Sequence, residues 1–311
     1  MSEIKLGIIG GGQLGSMLSV AAKKLNVKTL IYCDDEDSPA KNFCDEIIIG
    51  KYNDKEKLLM FLNKVNIITY EFENIPYEML NELNKKKPVL PKPSINRLIQ
   101  HRLAEKDFVN KLNLRTTQYT LVEKKSDLDS LKDLFPGILK TTTMGYDGKG
   151  QYPIKEVKDI EKLNIDFSKN YILEKYVKLK KEISIILTRF NNNNYEIYEP
   201  IENTHENQIL KYSKIPAEIS DDLLNQSKDW ATTIAEELKY IGTLCVEFFI
   251  DRNDNLYVNE IAPRVHNSGH LTINAYNVSQ FENHIRAVCS LEKIPLKKLF
   301  NAKMVNLIGN Q

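Results

Sequence analysis

Two glutamates in the segment TLCVEFFIDRNDNLYVNEIAPR carry the clearest chemical signal in this 311-residue chain. Two β-rich apolar runs flank DRNDN, so the segment reads as a hairpin. With the turn centred between Asn253 and Asp254, Glu247 faces Glu260 and Phe248 faces Asn259. Like charges set opposite each other across a strand pair destabilise it. Such a pair among apolar neighbours calls for a cation, and Mg²⁺ takes hard oxygen donors of this kind, with phosphate oxygens completing the shell. The competing reading is a register slipped by one residue, which leaves both glutamates on exposed positions.

A second signal is ILKTTTMGYDGKGQ, in which Lys140 ends an apolar run and Gly145, Gly148 and Gly150 follow. Glycine backbone approaches phosphate oxygens closely and offers its N–H groups, while Lys140 and Lys149 add positive charge. The Walker A pattern is absent, so the expected device is a loop that closes over a triphosphate. A flexible hairpin tip is the plainer alternative. In YILEKYVKLKKEISII, Glu174 ends one strand and Glu182 opens the next, and the backbone of 174–177 is placed to read the polar edge of a base. Surface carboxylates are the commoner explanation of those two glutamates. Finally, APRVHNSGH puts Arg264, His266, Asn267 and Ser268 close behind Glu260, many donors for an anion. His266 and His270 lie four apart without an H-E-x-x-H pattern, which argues against a zinc site built on that pair.

Near the N-terminus, IIGGGQLGSML spells G-x-G-x-x-G through Gly10, Gly12 and Gly15, and Asp34 and Asp35 follow at the spacing of a dinucleotide-binding fingerprint. Taken alone it allows a nicotinamide oxidoreductase.

These residues need elements to hold them. KLGIIG, VKTLIYCDD, DEIIIG and NIITYEFE read as buried strands alternating with helices over 12–25, 54–64 and 76–86, a doubly wound α/β unit. It ends near KKKPVLPKPS, whose prolines mark a connection. SINRLIQHRLAEKDFVNKL then reads as one long amphipathic helix with Ser94 as N-cap. TTQYTLV, GILKTTT, YILEKYV, EISIILTRF and YEIYEPIE read as strands, DLLNQSKDWATTIAEELKYI as a helix, and FNNNNYE as a turn. The second part is therefore α+β with mostly antiparallel sheet. The expected domains are 1–93, 94–295 with a flexible subdomain at 116–178, and a C-terminal unit starting at 296.

Bulk properties remove some classes. The chain is 42% hydrophobic and 27% charged with a net charge of +1, and no basic tract alternates with aromatics, so no nucleic-acid partner is expected. No apolar run is long enough for a membrane span, and the N-terminus leaves no room for a signal peptide. The four cysteines are scattered without a C-x-x-C pair, which fits a reducing, cytoplasmic compartment. Cys33 and Cys245 read as small buried hydrophobes.

GGGQLGSML, YEFENIP, GYDGKGQ, VEFF and NEIAPRVHNSGH together resemble the ATP-grasp superfamily and, within it, the 5-(carboxyamino)imidazole ribonucleotide synthase family; the resemblance runs from Lys5 to about Gly309. It implies a pre-ATP-grasp domain followed by an ATP-grasp domain, and ATP-dependent carboxylation of 5-aminoimidazole ribonucleotide with bicarbonate in purine biosynthesis. By resemblance, ATP lies between Arg102, Lys140, the loop Gly145, Tyr146, Asp147, Gly148, Lys149, Gly150 and Gln151, the stretch Glu174, Lys175, Tyr176 and Val177, and Glu182. Glu247 and Glu260 hold Mg²⁺, aided by Asn259. The ribonucleotide meets Gln13, Leu14, Glu73, Tyr146 and Asp147, with Asp147 as proton acceptor. Arg264 and His266 handle bicarbonate, with Asn267 and Ser268 alongside. The glycine loop then serves the phosphorylated ribonucleotide, and Asp34 and Asp35 lose their ribose role. Family members are commonly homodimers. They continue beyond VNLIGNQ with H-x-Y-x-K-like and R-K-M-G-H-like segments, so the unit from 296 is expected to be truncated. The alternatives are another grasp ligase, such as a formate-dependent glycinamide ribonucleotide transformylase, and a non-catalytic nucleotide-binding remnant.

Overall fold

The structure, a computed structural model, describes residues 4–143, 150–206 and 208–307. Its first sheet is built from β1 (Lys5–Ile9), β2 (Lys28–Cys33), β3 (Glu46–Ile49) and β4 (Ile67–Tyr70), all parallel in the order β3-β2-β1-β4. Parallel strands joined by helices are covered on both faces, which is why these runs are apolar without alternation. Leu6, Ile8 and Ile31 pack against α1 (Gln13–Lys24), while Ile9, Leu30 and Ile68 pack on the other face against Phe61 of α2 (Lys55–Lys64) and Leu80 of α3 (Tyr77–Asn84).

The helix expected over 94–112 is two helices. Pro93 occupies the first turn of α4 (Pro93–Ile99), where a missing N–H costs nothing, so Lys92 rather than Ser94 is the N-cap. The chain breaks at Gln100 and His101. Gln100 Nε2 donates to the carbonyls of Glu73 and Ile75, and extended His101 caps α5 (Arg102–Lys111) by accepting from Ala104 N through Nδ1. The break re-aims the helix, so that Arg102 and Glu105 border a cleft.

A small antiparallel sheet follows: β5 (Tyr119–Val122), β6 (Gly137–Thr141), β7 (Gln151–Ile154) and, after the short helix α6 (Val157–Glu161), β8 (Tyr171–Lys175), in the order β5-β8-β6-β7. The large sheet comprises β9 (Leu179–Arg189), β10 (Tyr195–Ile197), β11 (Ile201–Glu206), β12 (Ile209–Ile215), β13 (Gly242–Asp251), β14 (Leu256–Ala262) and β15 (Ala302–Val305). Its order is β14-β13-β9-β11-β12-β15, with β10 on β9. The run YEIYEPIE, read above as one strand, is split between β10 and β11 around Pro200, which cannot donate to a ladder. FNNNNYE is the expected turn, with Asn193 at φ 59.

Central strand β13 divides its side chains by the period of two. Leu244, Val246, Phe248 and Ile250 pack with Leu223, Ala231 and Ile234 of α7 (Asp221–Glu237) and with Ile95 and Val109. Cys245 and Glu247 face the other way. Two helices close the fold, α8 (Thr272–Ala275) and α9 (Gln280–Val288), the latter started by a reciprocal Ser279–Glu282 capping box. Among the described residues, no helix is long and apolar enough to cross a membrane.

Candidate active site

The hairpin supplies the acidic centre. Glu247 pairs with Glu260 in the ladder, as expected, but Phe248 pairs with Val258 and not with Asn259. The turn itself is one residue shorter than the symmetric reading, and a bulge at Asn259 restores the register beyond it. That extra residue re-aims its neighbours, so consecutive Asn259 and Glu260 both border the cleft. The cleft holds about 720 Å³, a volume suited to a nucleotide-sized ligand.

The two carboxylates are unequally answered. Glu247 Oε1 lies 3.0 Å from His266 Nε2. Burial opposes ionisation of Glu247, but the imidazole outweighs it and holds the carboxyl below its usual range. Conversely, the His266 ring is held well above its usual value: burial works against the charge, and the Cys245 sulfur and the Glu247 carboxylate overcome it. Glu260 is pushed upward by the surrounding protein and by the charge of Glu247, with Arg102 at 3.7 Å only partly offsetting them. A carboxylate left short of positive charge beside another is a fit for a hard divalent cation, and Glu247, Glu260 and the amide oxygen of Asn259 are suitable donors.

A second cluster lies deeper. Glu174 Oε1 is 3.2 Å from Lys140 Nζ, and its Oε2 is 3.2 Å from Lys106 Nζ and accepts from Thr117 Oγ1 at 3.0 Å. Lys106 also donates to Thr116 and Thr117. The lysines overcome the burial of Glu174 and hold its carboxyl at about 2, whereas burial pulls Lys140 downward. Lys140 thus borders the cleft with part of its charge already engaged. Glu174 turns its carboxylate to the lysines, and Lys175, Tyr176 and Val177 line the cleft. Glu182 lies on β9 with Oε2 at 2.7 Å from His205 Nδ1.

At the far wall Arg264 grips Glu73 with two bonds, Nε to Oε2 at 2.5 Å and Nη2 to Oε1 at 3.2 Å, tying the parallel-sheet unit to the large sheet. Asn267 borders the cleft beside them. Ser268 is buried beneath, its Oγ 2.9 Å from His266 Nδ1 and 2.8 Å from Ser184 Oγ, so it orients the ring.

The glycine loop is occupied by the protein itself. Gly12 N–H and Gly15 N–H both donate to the carboxylate of Glu71, at the end of β4. A side chain on Gly12 would collide with that carboxylate, its Cβ meeting Glu71 Oε1 at 2.9 Å. Gln13 is exposed at the first position of α1 and Leu14 packs into the adjoining core; neither borders the cleft. Gly150 has φ 73, and Gln151 pairs with Lys140. Gly145, Tyr146, Asp147, Gly148 and Lys149 lie outside the described residues.

Sequence reading missed Glu71, Glu105, Lys106, His205 and Cys245. Glu105 and Lys106 sat on the charged side of an amphipathic pattern that looks the same whether it faces water or a site. Glu105 is buried, accepts from Ile261 N at 2.6 Å, and is pushed up to about 8 by burial and by Glu260. Only Glu71 left a usable trace, as an acid directly after a buried strand neighbouring the glycine loop.

The chain has relatives among known proteins. Residues 107–281 match the ATP-grasp domain family, and residues 3–100 match the ribonucleotide synthetase preATP-grasp domain family. The chain is 40% identical over 309 residues to an N5-carboxyaminoimidazole ribonucleotide synthase of Staphylococcus aureus, covering 98% of this chain and 82% of that protein. Among solved structures, an N5-carboxyaminoimidazole synthetase from Staphylococcus aureus complexed with ADP superposes with a TM-score of 0.93 at 38% identity, covering 98% of this chain and 82% of that one. An N5-carboxyaminoimidazole synthase from Aspergillus clavatus, in complex with ADP and 5-aminoimidazole ribonucleotide, superposes with a TM-score of 0.91 at 25% identity, covering 99% and 83%.

Proposed function

The chain belongs to the N5-carboxyaminoimidazole ribonucleotide synthase family of ATP-grasp ligases, and from that premise we infer how its own residues serve ATP-dependent carboxylation of 5-aminoimidazole ribonucleotide in purine biosynthesis. The observation that carries the reading is the facing pair Glu247 and Glu260 on the wall of a cleft that also presents Lys140 and Arg264.

ATP enters between the small and large sheets. Lys140 and Arg102 meet its phosphates, the loop 145–151 closes over them, backbone at 174–177 takes the base, and Glu182 with His205 holds the ribose end. Glu247, Glu260 and Asn259 hold Mg²⁺ against the triphosphate; when bound, the ion neutralises charge that builds as the γ-phosphoryl group moves. Arg264 and His266 bind bicarbonate, whose oxygen attacks the γ-phosphorus while ADP departs. His266, positively charged between Cys245 and Glu247, stabilises the anion formed there.

Carboxyphosphate, or CO₂ released from it, then meets the exocyclic amine of the ribonucleotide. A nitrogen–carbon bond forms, phosphate leaves, and the amine proton passes to Asp147. Tyr146 and Glu73 orient the imidazole, Asn267 fixes the bicarbonate end while buried Ser268 holds the His266 ring behind it, and Lys149 follows the phosphates. Closure of the loop excludes water from the short-lived intermediate. Gln13, exposed at the start of α1 outside the cleft, and the Leu14 backbone beside it form the outer edge of the ribonucleotide site. In this division of labour residues 1–93 face the ribonucleotide, 94–295 grip ATP, and the lobe 116–178 moves. The four free cysteines suit the reducing cytoplasm, and the protein works there as a homodimer.

A coupled assay of ADP release tests this. Release should require ribonucleotide, bicarbonate and Mg²⁺ together; release that proceeds equally without the ribonucleotide, or that formate supports in place of bicarbonate, contradicts it.

A further inference from the structure

Residues two apart on a strand share a face. On β13 this sets the Cys245 thiol beside the Glu247 carboxylate, on the side opposite the Leu244–Val246–Phe248 core. His266, in the turn after β14, closes on the same two side chains. One sulfur, one imidazole nitrogen and one carboxylate oxygen from these three residues lie within 4.8 Å of one another. The ring is held in place: Nδ1 lies against Ser268 Oγ at 2.9 Å, and Gln280 Oε1 accepts from the His266 backbone N–H at 3.0 Å.

This donor set differs from the facing glutamates. Mg²⁺ binds through oxygen and has little affinity for sulfur, whereas zinc accepts thiolate, imidazole and carboxylate together. Tetrahedral zinc, with bonds of about 2.0–2.3 Å, needs ligand atoms about 3.3–3.8 Å apart; the Glu247–His266 pair at 3.0 Å has to open slightly, and the sulfur, within 4.8 Å of both, has to lie at or move to that spacing. A polar partner on the far nitrogen of the ring is the outer-shell support that zinc-bound histidines have. Glu247 and His266 both border the cleft, so a fourth position opens to solvent or ligand.

We propose that Cys245, Glu247 and His266 form a zinc-binding site with three protein ligands and an open fourth position, sharing Glu247 with the magnesium position. Zinc bound there withdraws Glu247 and His266 from the reaction and acts as a thiol-dependent brake. Binding expels the thiol proton, because the thiolate is the ligand.

The test uses the full chain, free of metal, nucleotide and Mg²⁺, titrated with Zn²⁺ alone and with Co²⁺ alone. One ion should bind per chain, and Co²⁺ should give a thiolate-to-cobalt charge-transfer band in the near ultraviolet that Zn²⁺ abolishes by displacement. Cys245→Ala should lose the band and weaken zinc binding on the order of 100-fold; Cys44→Ala should keep both. His266→Gln should weaken zinc comparably, a second reading if Cys245→Ala fails to fold as judged by circular dichroism. A band that survives Cys245→Ala, or zinc affinity unchanged in both variants, overturns the proposal. With no nucleotide present, either outcome is independent of the carboxylation reading.

Discussion

At the start of α1 the backbone N–H groups of Gly12 and Gly15 meet the Glu71 carboxylate, while at the β13–β14 hairpin two carboxylates face each other with incomplete answers. Both regions concentrate charge: a helix N-terminus carries roughly half a positive charge, and the hairpin carries two glutamates. In the first, the chain supplies its own acceptor for both N–H groups from 56 residues away, although burial pushes that carboxyl upward as well. In the second, Glu247 has His266, whereas Glu260, with Arg102 at 3.7 Å and Lys140 and His266 also acting on it, is still pushed upward by burial and by Glu247. Charge that the protein has already satisfied is architecture. Charge it leaves partly unsatisfied is where an external ion belongs.

Breaking the unsatisfied side should have the largest effect. Glu260→Gln is expected to lower kcat for ADP release by about 1,000-fold or more, with the circular dichroism spectrum and urea midpoint retained. A fully answered cluster should behave in the opposite way. Glu174→Gln leaves Lys106 and Lys140 buried without their carboxylate, and urea unfolding should show a loss of about 3–5 kcal/mol.

The seam between the two regions offers a pH test. His284 Nδ1 accepts from Thr243 N at 3.1 Å on β13, so its Nε2–H donates to Thr69 on β4 at 2.8 Å. Burial lowers this ring from 6.5 to about 4. It stays neutral in the fold across that interval but takes a proton once unfolded, so the unfolded state binds more protons and stability falls as pH falls. The contribution is present above pH 6.5 and lost progressively towards pH 4, about 3 kcal/mol in all. Comparing the pH dependence of unfolding for wild type and His284→Gln isolates it from Glu105, whose upward shift acts with the opposite sign.

Smaller effects sharpen the glycine side. Glu71→Gln removes a charged acceptor from two backbone donors and should cost about 1.5–3 kcal/mol in urea unfolding. Glu71→Ala vacates the helix start, and sulfate should stabilise that variant more than wild type. Gln13→Ala, at an exposed position, should raise KM for the ribonucleotide about tenfold or less without moving the urea midpoint; an unchanged KM removes Gln13 from the substrate site.

Periodicity revealed the parallel unit, the hairpin and the facing glutamates because each depends on residues close in sequence. The break between α4 and α5 was not legible: its cause is Gln100 reaching back to the loop after β4, a contact across 25 residues. The bulge at Asn259 was hidden because the symmetric hairpin yields the same Glu247–Glu260 pairing. A helical pattern states which residues share a side, not what that side meets, so nothing in it sets Glu105 and Lys106 apart. The G-x-G-x-x-G spelling points first to the cofactor it most often serves; the residue that occupies it, Glu71, directly follows another strand.

The central claim is that Glu247 and Glu260 jointly hold the divalent ion that anchors ATP. Mn²⁺ can replace Mg²⁺ in an electron paramagnetic resonance titration of the ADP complex. Wild type should bind one Mn²⁺ per chain, and Glu247→Gln and Glu260→Gln should each weaken it at least about tenfold while ADP stays bound. Mn²⁺ binding of equal strength in all three proteins would contradict the account.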